Sequence, residues 1–229
     1  MSPADYIMRL IEQFSLVLAR ILFKKNTQKY IEALSEIETA YQHLLGLDAR
    51  QVHSLSFEEL IEWLKMGGRF DAEKCLILAA LQKEEAEIHE LAGRPMDDGL
   101  HAEYAKAFFL YREAVQREAS PESKRAREEM KTIVKKLDPA RLTPSRKFVL
   151  FRYHESAGEF GLAEDLLFEL VKVNFPEIRK EGKDFYRRLS GKSDEELVAG
   201  NLPRREVEEG LSAIQKEGMK TRTIRFNEE

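Results

Sequence analysis

Apolar side chains recur along this chain at steps of three and four, a periodicity that predicts helices, and no stretch reads as a strand. The first periodic stretch, residues 5–23, is apolar almost all the way round. On a helical wheel Tyr6, Ile7, Leu10, Ile11, Phe14, Val17, Leu18, Ile21 and Leu22 fill one broad arc, and Met8 and Leu16 fall outside it. Only a narrow polar strip from Glu12 through Arg9 to Gln13 remains. A helix of this kind is usually buried on more than one side, so a central core helix is expected. A dimer seam and a membrane-surface helix are the alternatives, and the second calls for more basic flanks than Lys24-Lys25 supply. Tyr30, Leu34, Ile37, Tyr41 and Leu44 form a narrower stripe and predict a second helix over 28–45, closed by Gly46 and folded back on the first.

Ser56 with Glu59 three residues on is a capping box opening a short helix that stops at Gly67-Gly68. A longer helix is predicted over 71–91. Leu76, Leu78, Ala79, Leu81 and Ile88 face inward, Glu84, Glu85, Glu87 and Glu90 make a solvated acidic face, and Gly93-Arg94-Pro95 is the stop. The next starts at Asp97 or Asp98 and carries Tyr104, Ala107, Tyr111 and Ala114. Pro121 opens another, whose inner face is Met130, Ile133, Val134 and Leu137, and Asp138-Pro139 ends it.

Residues 143–173 read as two helices folded back on each other. Thr143 is a fitting N-cap, and Pro144 follows at the first helical position, where a missing N–H costs nothing. Val149, Leu150 and Tyr153 share a face. Gly158 closes the helix in the left-handed conformation. Phe160, Ala163, Leu166, Leu167, Leu170 and Val171 make the second helix, and Asn174-Phe175-Pro176 ends it.

The order Leu150, Gly158, Phe160, Ala163, Pro176 resembles a tetratricopeptide repeat, as does the series Tyr104, Ala107, Tyr111, Ala114. Phe151 and Leu170 depart from the motif, which has small residues there. Tyr104 and Phe160 are 56 residues apart, which is not a multiple of the ~34-residue period of that class, so a regular array is excluded. The fold class expected is all-α, an irregular α-solenoid or bundle of antiparallel hairpins, tetratricopeptide-like over 70–176. Small side chains at Ala107, Ala114 and Ala163 would let backbones approach. The opening D-Y-I-M-R-L-I-E-Q, the L-L-G-L-D at 44–48 and the G-E-F-G-L-A-E-D-L-L-F-E-L at 158–170 resemble an uncharacterised bacterial family described as tetratricopeptide-like. The resemblance implies no active site.

Beyond Pro176, Ile178, Phe185, Tyr186 and Leu189 predict one more helix closed by Gly191. Residues 193–197 and 203–214 permit short helices loosened by Gly200 and Gly210, and the polar tail from Lys216 is expected to be disordered. The expected division is an N-terminal hairpin over 1–46, a helical array over 47–190 and an extension over 191–229, which caps the last apolar face or docks on a partner.

Composition narrows the function classes. A net charge of −4 runs against nucleic-acid binding. The single cysteine, Cys75, excludes an internal disulfide, sits in an apolar run as a small buried hydrophobe, and suits a reducing, cytoplasmic setting. No secretory leader pattern is visible. Arg9, Glu12, Gln13 and Arg20 interrupt the N-terminal apolar stretch, so no membrane span is expected. The five histidines, His43, His53, His89, His101 and His154, show no metal-ligand spacing. Ala86 and Phe151 stand three residues before His89 and His154, where a di-iron bundle has Glu. No phosphate loop or nucleophile elbow is present.

Basic groups at Lys124, Arg125 and Arg127, at Arg187-Arg188, at Arg204-Arg205 and from Lys220 to Arg225 read as solvated charge or as a phosphate-binding stripe. No catalytic, cofactor or metal residue is assigned. The expected function is a non-catalytic protein- or peptide-binding helical-repeat module, with Phe148, Arg152 and Glu155 directed outward as the partner contact, and with a homodimer through the N-terminal helix as a further association. The alternative is a bacterial regulator or sensor that answers to a peptide or small ligand. An enzyme would require buried paired carboxylates in a cleft.

Overall fold

A computed structural model describes residues 3–65, 68–117 and 122–225, with side chains described for 5, 7–65, 68–117 and 123–214. Among the described residues every regular element is a helix: α1 Pro3–Asn26, α2 Tyr30–Ala40, α3 Ala49–Ser54, α4 Phe57–Trp63, α5 Ala72–Leu91, α6 Asp98–Arg117, α7 Glu122–Ile133, α8 Pro144–Ala157, α9 Phe160–Lys172, α10 Ile178–Ser190, α11 Asp194–Ala199 and α12 Arg204–Arg225. The chain is all-α and forms two compact units, Met1–Asp138 and Pro139–Glu229.

In the first unit α1 pairs with α2, and α5 with α6, which in turn pairs with α7; α5 also packs on α1 and α2. The caps follow from local chemistry. Ser56 and Glu59 close their reciprocal box at the start of α4, and the Asp71 side chain accepts from the Lys74 N–H at the start of α5. Helix α2 tightens into a π-turn over Tyr41–Leu45 before Gly46, at φ 74°, turns the chain. Helix α3 is not evident from periodicity; an Asp48–Gln51 capping box starts it. Gly67, Pro121 and the Tyr6 side chain lie outside the described residues.

Two expectations for this unit are corrected. Helix α1 is not central: it buries Leu10, Leu18 and Ile21 against α2 and α5, while Met8, Leu16 and Phe23 are 63%, 66% and 66% exposed. Nor is the acidic face of α5 solvated. Helices α1, α2 and α6 surround α5, so every residue from Leu81 to Ala86 is buried, Glu84 and Glu85 included. Glu87 and Glu90 are half-buried.

In the second unit α8 pairs with α9, and α10 with α12. Thr143 caps α8, with Pro144 at its first position, and Gly158 ends it at φ 77°. Phe151, standing where the repeat motif has a small residue, is fully buried and meets Phe185 edge-on at 5.4 Å. Helix α12 continues past Ile214 to Arg225, so the expectation of disorder from Lys216 is corrected as far as Arg225. Gly210 does not loosen it: a Cβ there would run into the Tyr186 ring, so the glycine permits the α10–α12 approach. Ala107, Ala114 and Ala163 are 0%, 1% and 0% exposed, where neighbouring helices crowd.

Candidate functional site

Phe148, Arg152 and Glu155 lie on α8, and each has partners within the second unit. Phe148 is half-buried, its ring stacked between Phe151 at 5.9 Å and Phe175 at 5.3 Å. Arg152 reaches Glu155 at 3.3 Å and Glu181 at 2.8 Å. Arg188 of α10 donates to Glu155 at 2.6 Å and to Glu181 at 2.7 Å. Two guanidiniums thus face two carboxylates in a closed square between α8 and α10. Burial works against the charge of Arg188, but its hydrogen bonds to Glu155 and Glu181 outweigh it and hold the guanidinium above its ordinary pKa. The square neutralises itself and leaves no net charge for a partner to answer.

The other basic groups are mostly engaged in the same way. Arg204 pairs with Asp194 at 2.8 Å and donates to the Ser190 carbonyl at 3.0 Å, and Arg205 pairs with Glu209 at 2.7 Å. The side chains from Lys220 to Arg225 lie outside the described residues.

The first unit holds a partly open groove of about 260 Å³ between α1, α5, α6 and α7. Ile11, Phe14 and Leu18 form one wall and Leu76, Ile77 and Ala80 the other; Ala114 and Ala126 complete the floor. Alanines at these positions, where a larger side chain would fill the space, keep the groove from closing. Ser15, Glu73, Tyr111 and Arg125 supply its polar lining. Tyr111 is 5% exposed, and its hydroxyl has no hydrogen-bond partner among the described residues. Burial, then the charges of Glu129 and Glu84, raises its pKa well above the ordinary value, so the phenol stays protonated and can donate. Arg125 is 63% exposed and only loosely paired with Glu129 at 3.8 Å. Periodicity shows each wall separately; it does not show that they face one another.

Further along α5, past the groove, lies a buried charge network. Lys83 touches Glu84 at 3.0 Å, Glu87 at 2.9 Å and Glu129 at 3.2 Å. Lys25 touches Glu84 and, at 2.7 Å, Glu87. Glu85 accepts from the Tyr41 hydroxyl at 2.8 Å and sits 2.9 Å from His53 Nε2. The buried carboxylates are therefore satisfied by cations, a phenol and an imidazole, and none of them lines the groove. Gln82 Oε1 is buried without a partner among the described residues. Among the described residues no group of three or more His, Cys, Asp or Glu side chains is placed to hold a metal ion. Burial pushes the Cys75 thiol far above its ordinary pKa, which keeps it an inert hydrophobe.

His53 gives a pH-dependent tie between α3 and α5. Its hydrogen bond with Glu85 raises its pKa above 6.5, burial opposes this, and the charges of Glu85 and Glu103 reinforce it. A raised folded-state value means that the stabilisation is fully present below the unfolded-state pKa and is lost as pH rises through the folded one. His53→Ala is therefore expected to cost more stability at about pH 5.5 than at about pH 8.5. Urea denaturation of both proteins at the two pH values checks this, and an equal cost at both would contradict it.

No helix among the described residues is long and apolar enough to cross a membrane. No curated protein and no solved structure matches the chain. A single family model spans both units, matching residues 1–218, and by that match the chain belongs to DUF6483, a family of unknown function.

Proposed function

We propose that the protein is a non-catalytic binding module of the cytoplasm whose hairpins, tetratricopeptide-like in their packing, hold a protein or peptide segment. The groove between α1, α5, α6 and α7 is the site this reading favours, rather than the α8 patch, whose charges already answer one another. The observation that carries it is the groove itself: about 260 Å³ of mainly apolar space, partly open, with its floor kept low by alanines. Burying apolar side chains in such a space contributes about 25 cal/mol per Å², so two or three seated side chains can hold a segment of a partner. The lone Tyr111 hydroxyl would fix the register of the segment by donating to a backbone carbonyl. The same hydroxyl favours a second reading, a regulator that closes on a small amphipathic ligand, which predicts a rise in unfolding temperature on ligand addition.

Leu76 is half-buried and lines the groove, so Leu76→Glu places a carboxylate there with little expected cost to folding. A photo-crosslinking residue at position 76, used in the native host, identifies the segment seated there, which is then synthesised and titrated. Binding to the parent protein and a loss of about tenfold or more in Leu76→Glu is the expected result. Equal binding to both proteins, or no segment crosslinked, defeats the proposal.

A further inference from the structure

The groove between α1, α5, α6 and α7 offers a ligand one nearly buried donor. Tyr111 lines it, is 5% exposed, and its hydroxyl has no hydrogen-bond partner among the described residues. Among those residues Gln82 Oε1 is the side-chain atom sealed off without a partner, so the Tyr111 oxygen opens on the groove. A donor so placed gains from any ligand that brings it an acceptor.

A carboxylate and an uncharged carbonyl both accept from a phenol, and the surrounding charges decide between them. Arg125 draws an anion, but it is 63% exposed, and water screens a charge in that position. Glu129, one helical turn further along α7, is 22% exposed, and Glu84 is 4% exposed. Charges held out of water are screened much less. Lys83 lies 3.2 Å from Glu129, but it also serves Glu84 and Glu87. The phenol registers the balance. After burial, the charges of Glu129 and Glu84 raise its pKa; Arg125 opposes them, Glu87 adds to them, and the net is upward. A carboxylate oxygen hydrogen-bonded to this phenol would sit close to where the phenolate charge would sit. It meets the same repulsion, together with the cost of leaving water. An amide carbonyl escapes both.

We propose that the groove takes an uncharged apolar segment that presents an amide carbonyl to Tyr111, and refuses a free carboxylate. Its occupant is then an internal stretch of a partner chain, not a chain's C-terminus or a fatty acid. This rests on the reading of the groove as a binding site. The wall from Ile11 to Leu18 runs about 10 Å along α1, at 1.5 Å per residue. That is the length of about three residues of extended chain.

Titration of the full chain with octanamide and with octanoate, followed by NMR at about pH 7 where the acid is ionised, compares the two heads on one hydrocarbon length. Octanamide is expected to bind about tenfold more tightly than octanoate. Leu76→Glu is expected to weaken octanamide, which places the binding in the groove. Tyr111→Phe removes a hydroxyl that has no partner within the fold, and is expected to weaken octanamide about tenfold while leaving octanoate nearly unchanged. Glu129→Gln is expected to strengthen octanoate and leave octanamide unchanged; should that variant not fold, Tyr111→Phe keeps the test decisive. Octanoate bound as tightly as octanamide, octanamide indifferent to Tyr111→Phe, or neither probe bound overturns the proposal. The underlying reading is decided separately by the crosslink at position 76. A captured segment seated by its terminal carboxylate sinks only the preference, whereas no captured segment removes the reading even where octanamide binds.

Discussion

Replacing Lys83 with methionine is expected to destabilise the protein by about 3–5 kcal/mol, as removal of one partner from a buried ion pair generally does. The methionine keeps most of the stem and removes the charge. Lys83 is 8% exposed and stands among Glu84, Glu87 and Glu129. Burial alone would lower its pKa; the attraction of Glu84, followed by the hydrogen bond and charge of Glu87, outweighs burial and raises it. Without Lys83, Lys25 remains for Glu84 and Glu87, and Glu129 keeps only the loose contact with Arg125. The cost is therefore that of stranded carboxylates rather than of lost attraction, and this can be separated. Adding Glu87→Gln to Lys83→Met should recover part of the loss, so the two changes should combine less than additively. Acid should act through the same group. Burial works against the Glu87 charge, but hydrogen bonds from Lys25 and Lys83 prevail and hold its carboxyl below the ordinary value. Its contribution is then present above the unfolded-state pKa of about 4.3 and is lost as pH falls through the lower folded-state value. Urea denaturation of the parent and both variants at about pH 7 and about pH 3.5 measures all of this. A Lys83→Met protein as stable as the parent at neutral pH would show the network to be energetically idle.

The sequence discloses this fold where the cause is local and hides it where the cause is remote. Thr143-Pro144, Ser56 with Glu59, and Gly158 mark helix ends because each acts on backbone groups within four residues, and the structure has all three. The acidic run on α5 misleads for the opposite reason. Glutamates on a helix ordinarily face water, and Glu84 is buried between two ammonium groups, the adjacent Lys83 and Lys25, which is 59 residues away. Tyr41, which satisfies Glu85, is 44 residues away. Helix α1 misleads through its composition: an all-round apolar helix suggests a buried one, but α2 and α5 cover only one side. The groove is visible only once α1, α5 and α7 are brought together. Gly210 reads as a weak point in a helix, because what it approaches, the Tyr186 ring, belongs to another helix.

Gly210→Ala is the change expected to separate those two meanings of a helical glycine. In a free helix the substitution stabilises by about 1 kcal/mol, because alanine restricts the unfolded chain and shields the backbone. Here the added Cβ would meet the ring of Tyr186, which is 0% exposed and whose hydroxyl donates to Glu164 at 2.6 Å. A buried ring tied at its far end cannot turn aside, so α12 must move away from α10. Overpacking of this kind costs about 1–3 kcal/mol and outweighs the propensity gain. Gly182 provides the internal comparison. Its Cβ would meet the ends of Ile214 and Leu167, at 2.6 Å and 3.2 Å, and those methyls can change rotamer. Gly191 provides the control: at φ −85° its Cβ would meet only the Arg188 carbonyl, at 3.5 Å. The expected order of stability is Gly191→Ala at or above the parent, Gly182→Ala slightly below, and Gly210→Ala well below. Tyr186→Leu, which opens space beside Gly210, should make the Gly210→Ala change cheaper than it is in the parent, giving a favourable coupling between the two sites. Equal stability of Gly210→Ala and the parent would mean that α10 and α12 sit further apart than this crossing, and that Gly210 is only a helix weakener.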